Sequence, residues 1–146
     1  MNLGLLGKKG EDMVAKFLIK NGYTVLKRNY ICRFGEIDII ARKNEVIAFV
    51  EVKTRQENSL VKPIEAVDNQ KQRRMTLTAE DYIIKTHTDN LQPRFDVAEV
   101  TVTKDNKYHL NYIKNAFWER AVAEISATAL LFNNKVRFFA YAQNDI

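Results

Sequence analysis

The chain has 146 residues, the size of a single domain, and can bury roughly two thirds of the surface that its unfolded form exposes. Hydrophobic residues make up 46% and charged residues 28%, as in globular proteins, and no repeat or low-complexity tract occurs. No apolar run approaches the roughly 20 residues that cross a bilayer, and the start lacks a signal core, so we expect a cytoplasmic protein without a membrane partner. The single cysteine, Cys32, excludes an internal disulfide and a thiolate metal cluster.

The formal net charge is +5, and it is concentrated near the N-terminus. Residues 1–34 contain seven basic residues and two acids, whereas the remainder of the chain is neutral in sum. A basic segment of this kind suits a polyanion that is held by its phosphates. Ordinary solubilising charge explains the excess equally well.

Residues 8–21 are predicted to form a helix that ends at Gly22. Glu11 has the i, i+3, i+7 spacing to Val14 and Leu18, so it continues the apolar stripe of that helix. An acid near a helix start is also favourable because of the helix dipole. Glu11 is therefore either a residue of a site or a helix-terminal charge.

A first strand is predicted over Tyr23–Asn29, followed by a loop over Tyr30–Phe34. Arg28 and Arg33 flank that loop beside aromatic residues. Arginines interleaved with aromatics are typical of phosphate and base contacts, so both arginines are candidates for nucleic-acid binding. The aromatic residues are assigned to the core, which is the more common place for them at strand ends.

Residues 35–55 have the pattern of a β-hairpin with its turn at Asn44-Glu45. If Asn44-Glu45 form a two-residue turn, position i pairs with position 89 minus i, which sets Asp38 opposite Glu51 and Glu36 opposite Lys53. Asn-Glu is not a favoured hairpin turn, and a longer loop would shift this pairing while still allowing a cleft. Like charges on directly opposed residues destabilise a sheet, so something must compensate for their repulsion.

The rest of the hairpin is apolar on both faces. One face is predicted to be core throughout, and it consists of Ile37, Ile39, Ala41, Val46, Ala48, Val50 and Val52. Ile40, Ile47 and Phe49 make the acid-bearing face apolar near the turn. We therefore expect the hairpin to be covered on both sides, with its carboxylates in a partly buried cleft.

Two carboxylates and a lysine on adjacent strands suit a hard divalent cation such as Mg²⁺ or Mn²⁺. Mg²⁺ is usually held by one or two carboxylates together with substrate phosphates and water. It lowers the pKa of an attacking water and stabilises charge on a phosphoryl group. The alternative is a surface hairpin on which Glu36 and Lys53 form an ordinary salt bridge.

The segment 56–62 is predicted to be a polar loop, and Pro63 to begin a helix that runs to about Lys85. Lys71 falls within the apolar stripe of this helix. Its side chain either extends past the core to solvent or points into the cleft towards phosphate. Arg73 and Arg74 lie on other faces and widen the basic surface.

A second hairpin is predicted from residues 94–102 and 108–114. Asp96 is assigned a structural role, as a partner for Arg94. The tail, residues 118–146, has three open interpretations: it covers the sheet, joins two chains into a homodimer, or is disordered.

These residues resemble two groups of proteins. Asp38 followed by Glu51-Val52-Lys53 resembles the PD-(D/E)xK signature of restriction-endonuclease-like nucleases, among them the archaeal Holliday junction resolvases, with Ile37 in place of the signature proline. G-E-I-D-I-I-A and F-V-E-V-K-T-R closely resemble the YraN-like family of bacterial proteins, described as endonuclease-related. The resemblance covers residues 4–117.

The resemblance implies an α/β fold: a restriction-endonuclease-like mixed sheet flanked by helices, with residues 1–117 as the nuclease-like domain and 118–146 as a C-terminal extension. It implies a metal-dependent endonuclease acting on branched or otherwise structured DNA. Asp38, Glu51 and Glu11, which matches a glutamate on the first helix of those nucleases, would hold the metal. Lys53 would orient the attacking water or stabilise charge.

The candidates for contacting nucleic acid are Lys8, Lys9, Arg28, Arg33, Arg55 and Lys71, the last matching a lysine of the resembled family. Two rival functions stay open. One is a nucleic-acid-binding module that has the fold without turnover, and the other is a protein-interaction adaptor whose partner docks on the tail.

Overall fold

The computed structural model describes residues 3–58 and 68–117. Within these residues the helices are α1 (Leu3–Lys20) and α2 (Asn69–Thr86), and the strands are β1 (Thr24–Cys32), β2 (Gly35–Lys43), β3 (Val46–Gln56), β4 (Gln92–Val102) and β5 (Tyr108–Ile113). The predictions for the tail, 118–146, and for a helix start at Pro63 fall outside the described residues.

The strands form one five-stranded sheet in the order β1-β2-β3-β4-β5. β3 and β4 are parallel and are connected through α2, whereas the other neighbouring pairs are antiparallel. Parallel neighbours need a long crossover, which here includes the helix, while antiparallel neighbours need only short turns. The prediction of a mixed α/β sheet that contains two hairpins is confirmed.

Each face of the sheet is covered by one helix. On one face, Met75, Ala79 and Ile83 of α2 pack in a buried cluster with Phe49 and Phe95 of the sheet. On the opposite face, α1 contributes Val14, Ala15 and Leu18 to a second cluster with Ile39, Ala41, Ala48 and Val50. Alternate residues of β2 and β3 therefore serve two cores, and the central hairpin is covered on both sides, as predicted.

Neither helix of the described residues is long and apolar enough to cross a bilayer.

Several element boundaries differ from those predicted. α1 begins at Leu3 rather than residue 8. β1 continues through most of the predicted loop because Tyr30 pairs with Ile37 and its ring packs edge-on against Tyr82, 5.1 Å between centroids. α2 begins at Asn69 because the preceding Asp68 is extended and caps the helix, its carboxylate accepting a hydrogen bond from the Lys71 N–H.

Asp96 has the structural role that the sequence predicts. Its fully buried carboxylate accepts two hydrogen bonds from the Arg94 guanidinium, at 2.8 and 2.7 Å. The Tyr112 hydroxyl at 2.7 Å and the Asn115 N–H at 2.9 Å also donate to it. Burial and the charge of Asp96 raise the pKa of the Tyr112 hydroxyl well above its usual range. This network joins β4 to β5 and to the residues that follow β5.

We expect Asp96→Ala to lower the free energy of unfolding by about 3 to 5 kcal/mol, because it leaves the Arg94 charge and the Tyr112 and Asn115 donors without their acceptor. Tyr112→Phe removes one hydrogen bond and should cost only about 1 kcal/mol. Urea unfolding of the two variants and the parent measures both values. Equal losses in the two variants would contradict the central role of Asp96.

Candidate functional site

The site forms where the ladder between β2 and β3 stops. The register runs from Lys43–Val46 to Ile39–Val50, which is the predicted pairing of i with 89 minus i. One residue further, the Asp38 carboxylate accepts a hydrogen bond from the Val52 N–H at 2.7 Å. The Asp38 side chain thus takes the place of a backbone carbonyl acceptor of β2. The hydrogen bond holds its carboxylate against β3.

The backbone of β2 is irregular at this point. Residues two apart on a regular strand share a face, yet Ile37 packs in the α2-side cluster and Ile39 in the α1-side cluster. On β1 the residue between the partners of Ile37 and Ile39 is Asn29, which has a positive φ of 48°. The prediction that Ile37 lies on the face opposite the acids is therefore wrong, because the alternation breaks at Asp38.

Glu51 is the buried centre of the site, with 3% of its surface exposed. Its Oε1 accepts from the Lys53 Nζ at 2.8 Å and lies 3.1 Å from the Lys71 Nζ. Lys71 therefore points into the cleft, the second of the two interpretations that the sequence left open. The other oxygen, Oε2, is buried and has no hydrogen-bond partner among the described residues.

The ionised form of Asp38 is disfavoured in this arrangement. Burial, and next the charge of Glu51, raise the pKa of the Asp38 carboxyl from 3.8 to about 6. The Val52 N–H and the charge of Lys71 act in the opposite direction. The repulsion that the sequence predicts between the hairpin acids is thus present, and two lysines offset part of it.

Glu11 reaches towards this site from α1. Its carboxylate accepts a hydrogen bond from Asn29 Nδ2 at 3.1 Å, and a guanidinium nitrogen of Arg28 lies 3.6 Å away. Its charge contributes to the raised pKa of Asp38. α1 approaches β3 closely beside it, since a Cβ on Gly10 would collide with the Thr54 hydroxyl.

Among the described residues, no three His, Cys, Asp or Glu side chains form a group that could hold a metal ion. The role of Glu11 as a third ligand stays a prediction. Asp38 and Glu51 by themselves provide two hard oxygen donors, and the unpartnered Glu51 Oε2 is one that a cation would satisfy. Since Mg²⁺ commonly uses one or two carboxylates with phosphate and water, these residues fit the ion.

The predicted nucleic-acid contacts are distributed over α1, β1, β3, α2 and the β1–β2 turn. Lys8 and Lys9 are exposed on α1, and Arg55 is half-buried on β3. Arg28 is paired with the Asp12 carboxylate of α1 at 2.7 Å.

Arg33 and Lys71, in contrast, line one groove between the β1–β2 turn and α2, together with Arg74. The structure thus brings two of the six predicted contacts together next to the acids.

Glu99 is a neighbour of the site that the sequence analysis missed. The parallel register sets it beside Lys53 on the same face of the sheet. Its Oε2 accepts from Asn111 Nδ2 at 3.0 Å, while Oε1 is buried without a hydrogen-bond partner among the described residues. The sequence does contain a hint of this role, because Glu99 follows Phe95 and Val97 at every second position of an apolar strand and therefore faces the same side as they do.

Sequence comparisons identify relatives over most of the chain. The profile of a family described as "Uncharacterised protein family UPF0102" matches residues 10–100. A UPF0102 protein of Alkaliphilus metalliredigens is 49% identical over 112 residues, covering 77% of this chain and 96% of the relative. One from Caldicellulosiruptor saccharolyticus is 43% identical over 118 residues, covering 80% and 100%.

A solved structure described as "Crystal structure of SSO0001" aligns over 94% of this chain and 64% of that one, with a TM-score of 0.33 and 15% identity. Similarity at this level does not establish a common fold.

The raised pKa of Asp38 predicts how its removal affects stability. Because ionisation of a carboxyl with a raised pKa destabilises the fold, the stability that Asp38 provides when protonated is lost as the pH rises from about 4 through about 6. We expect Asp38→Asn to increase the free energy of unfolding of the metal-free protein by about 1 to 2 kcal/mol at pH 8 and by little at pH 4.5. Asparagine retains an oxygen that accepts from the Val52 N–H.

Chemical unfolding at the two pH values measures this difference. Asp89→Asn, which changes an exposed carboxylate in the turn after α2, is the matched control and should show no gain at either pH. A loss of stability in Asp38→Asn at pH 8 would mean that the ionised carboxylate stabilises the fold.

Proposed function

We propose that this chain, which belongs to the uncharacterised protein family UPF0102, is a metal-dependent endonuclease that hydrolyses phosphodiester bonds in structured or branched DNA. One observation carries the proposal. Glu51 is a buried carboxylate with one oxygen that lacks a partner in the described part of the chain, and it is bonded to two lysines beside a second acid, Asp38, whose pKa is raised. Perturbed ionisable groups gathered in a cleft are typical of a functional site.

The resemblance to the YraN-like family is confirmed by the family match, and the nuclease assignment builds on it. Asp38 and Glu51-Val52-Lys53, which resemble the PD-(D/E)xK signature, lie on adjacent strands of the central hairpin. The covering of the mixed sheet by α1 on one face and α2 on the other supports a restriction-endonuclease-like fold.

In the proposed site, Asp38 and Glu51 would hold Mg²⁺ or Mn²⁺, with Glu11 as a third ligand. When bound, the ion would supply a water of lowered pKa and would neutralise charge on the phosphoryl oxygens. Asp38 is held in place by the Val52 N–H and Glu51 by Lys53 and Lys71. The chain thus fixes both carboxylates before any ligand arrives.

Lys53 has the position for a direct role in the chemistry. Its ammonium is 2.8 Å from Glu51 Oε1 and is about a quarter exposed, so it reaches both the carboxylate and the open cleft. We assign it the orientation of the attacking water or the stabilisation of charge on the phosphate in the transition state. Lys71, which approaches from α2, is assigned to binding of the substrate phosphate.

A second candidate function is a nucleic-acid-binding module without turnover. It is favoured by the absence, within the described residues, of a group of three metal-ligating side chains, and by the basic groove next to the acids. Cleavage activity separates the two functions. The adaptor alternative depends on the tail, which lies outside the described residues.

The first test of the nuclease is metal binding. Mg²⁺ or Mn²⁺ should raise the melting temperature, because a ligand that binds only the native state stabilises it by mass action. Asp38→Asn should abolish the rise, and the affinity for metal should increase with pH across about 6, where Asp38 loses its proton. Calorimetric titration of both proteins at several pH values measures this.

The control is Asp89→Asn, which should respond to metal as the parent does. A parent that binds no divalent ion at high metal concentration overturns the metal-dependent mechanism. A cleavage screen on branched, flapped, single-stranded and duplex DNA with either ion then identifies the substrate class.

The second test separates chemistry from binding. A group that acts only in the transition state lowers turnover without weakening ground-state affinity. Lys53→Ala should therefore retain DNA binding and lose cleavage by about a hundredfold or more. Lys71→Ala should weaken DNA binding, which anisotropy titrations measure beside the cleavage rates.

Lys43→Ala, which removes an exposed lysine at the other end of the hairpin, is the matched control. If Lys53→Ala cleaves as fast as the parent, or if the parent cleaves none of the substrates, the binding module replaces the nuclease as the assigned function.

A further inference from the structure

A second feature of the molecule is the groove that the β1–β2 turn forms with the first turns of α2. Its cavity volume is about 410 Å³, and it is lined by residues 31–36 together with Lys71 and Arg74. Pockets of about 300 to 1,000 Å³ are the usual size for small-molecule ligands and cofactors, so the groove has room for a group of nucleotide size. We call this feature the turn groove.

The turn groove is preformed by close packing. Gly35 lies so near α2 that a Cβ there would be 3.3 Å from Thr78 Oγ1 and 3.5 Å from Arg74 Cβ. The turn itself is held by the Phe34 N–H, which donates to Cys32 Sγ at 3.4 Å. A ligand therefore meets walls that need little reorganisation, which limits the entropic cost of binding.

The charge of the groove suits a phosphate. Arg33, Lys71 and Arg74 contribute three cations to its lining, against the single acid Glu36. Arg74 is exposed, and its guanidinium has no ion-pair partner within residues 3–58 and 68–117. A cation on a wall of a cleft, without an acid to neutralise it, attracts an anionic ligand.

The groove also offers flat and apolar surfaces. The Arg33 guanidinium lies over the Phe34 ring, 4.6 Å from its centroid. Ile31, which also lines the groove, is 70% exposed. Aromatic rings and guanidinium planes are the surfaces on which unpaired bases stack.

Lys71 connects the groove with the candidate nuclease site. Its Nζ is 3.1 Å from Glu51 Oε1, and its side chain also lines the groove. A nucleotide in the groove is therefore adjacent to a phosphodiester placed at Asp38 and Glu51.

We propose that the turn groove binds one unpaired nucleotide of a DNA strand, with its base against Phe34 and Ile31 and its phosphate on Arg74 and Lys71. The base must be unpaired because a base inside a duplex has both faces covered by its neighbours. The inference rests on the proposed nuclease function for its ligand, and it specifies that the substrate has a single-stranded segment next to the cleaved bond.

Binding in EDTA tests the groove without requiring turnover. Anisotropy titrations compare a single-stranded oligonucleotide with a blunt duplex of the same length. Phe34→Leu, which keeps apolar packing and removes the aromatic face, should weaken single-strand binding at least about fivefold and leave duplex binding unchanged. Phe17→Leu, at a half-buried aromatic packed on the α1 side of the sheet, is the matched control and should change neither.

The charge is tested in the same way. Arg74→Ala should reduce the salt dependence of single-strand binding by a log-log slope of about 0.7, the value for one lost phosphate contact. Arg42→Ala, an exposed arginine near the opposite end of β2, should leave the slope unchanged. Equal effects of Arg42→Ala and Arg74→Ala would overturn the assignment of phosphate to the groove.

The only cysteine reports on occupancy directly, since Cys32 lines the groove. Saturating single-stranded oligonucleotide should slow alkylation of Cys32 at least about fivefold, and an unchanged rate would overturn the proposal.

Failure of the proposed nuclease function can be distinguished from failure of the proposed groove. Loss of single-strand binding in Phe34→Leu, without cleavage by the parent, supports the groove and rejects the nuclease. Cleavage by the parent, with unchanged binding in Phe34→Leu, supports the nuclease and rejects the groove.

Discussion

The placement of two acids beside each other at the edge of an apolar hairpin is the constraint on which the rest of this structure depends. Ionising Asp38 next to Glu51 in a partly dry cleft is costly, as its raised pKa shows. The fold compensates with two ammonium groups on one oxygen of Glu51. The other oxygen of Glu51 is buried and has no hydrogen-bond partner within residues 3–58 and 68–117, although a purely structural network would be expected to provide one.

The topology explains how these groups meet. The parallel pairing of β3 and β4 requires a crossover, and α2 within that crossover packs over the acid-bearing face and delivers Lys71 to Glu51. α1 occupies the opposite face and approaches β3 at Gly10, which sets Glu11 near the end of the ladder. The same Asp38 that interrupts the β2–β3 ladder also bonds to β3, so the local irregularity is held in a defined geometry.

The register of the central hairpin was predictable from a two-residue turn at Asn44-Glu45, and the pairing of 39 with 50 follows from that turn. Asp96 was predictable because a buried acid two residues from Arg94 has an evident partner. The side on which Ile37 packs was not, since the alternation assumes a regular strand and Asp38 interrupts it. The cap of α2 at Asp68 was not predicted, because its capping role depends on a backbone conformation that the local sequence pattern does not specify.

The turn groove depends on contacts between segments far apart in the sequence, which no local pattern contains. Arg33 and Lys71 were each identified as basic residues of interest, but only the packing of Gly35 against α2 brings them to one groove. In the proposed mechanism Lys71 then links two events. The Lys71 ammonium lies on the Glu51 carboxylate; a cation bound at Glu51 would weaken this attraction and would leave the Lys71 charge for phosphate. By linkage, metal and nucleic acid would then each increase the affinity of the protein for the other.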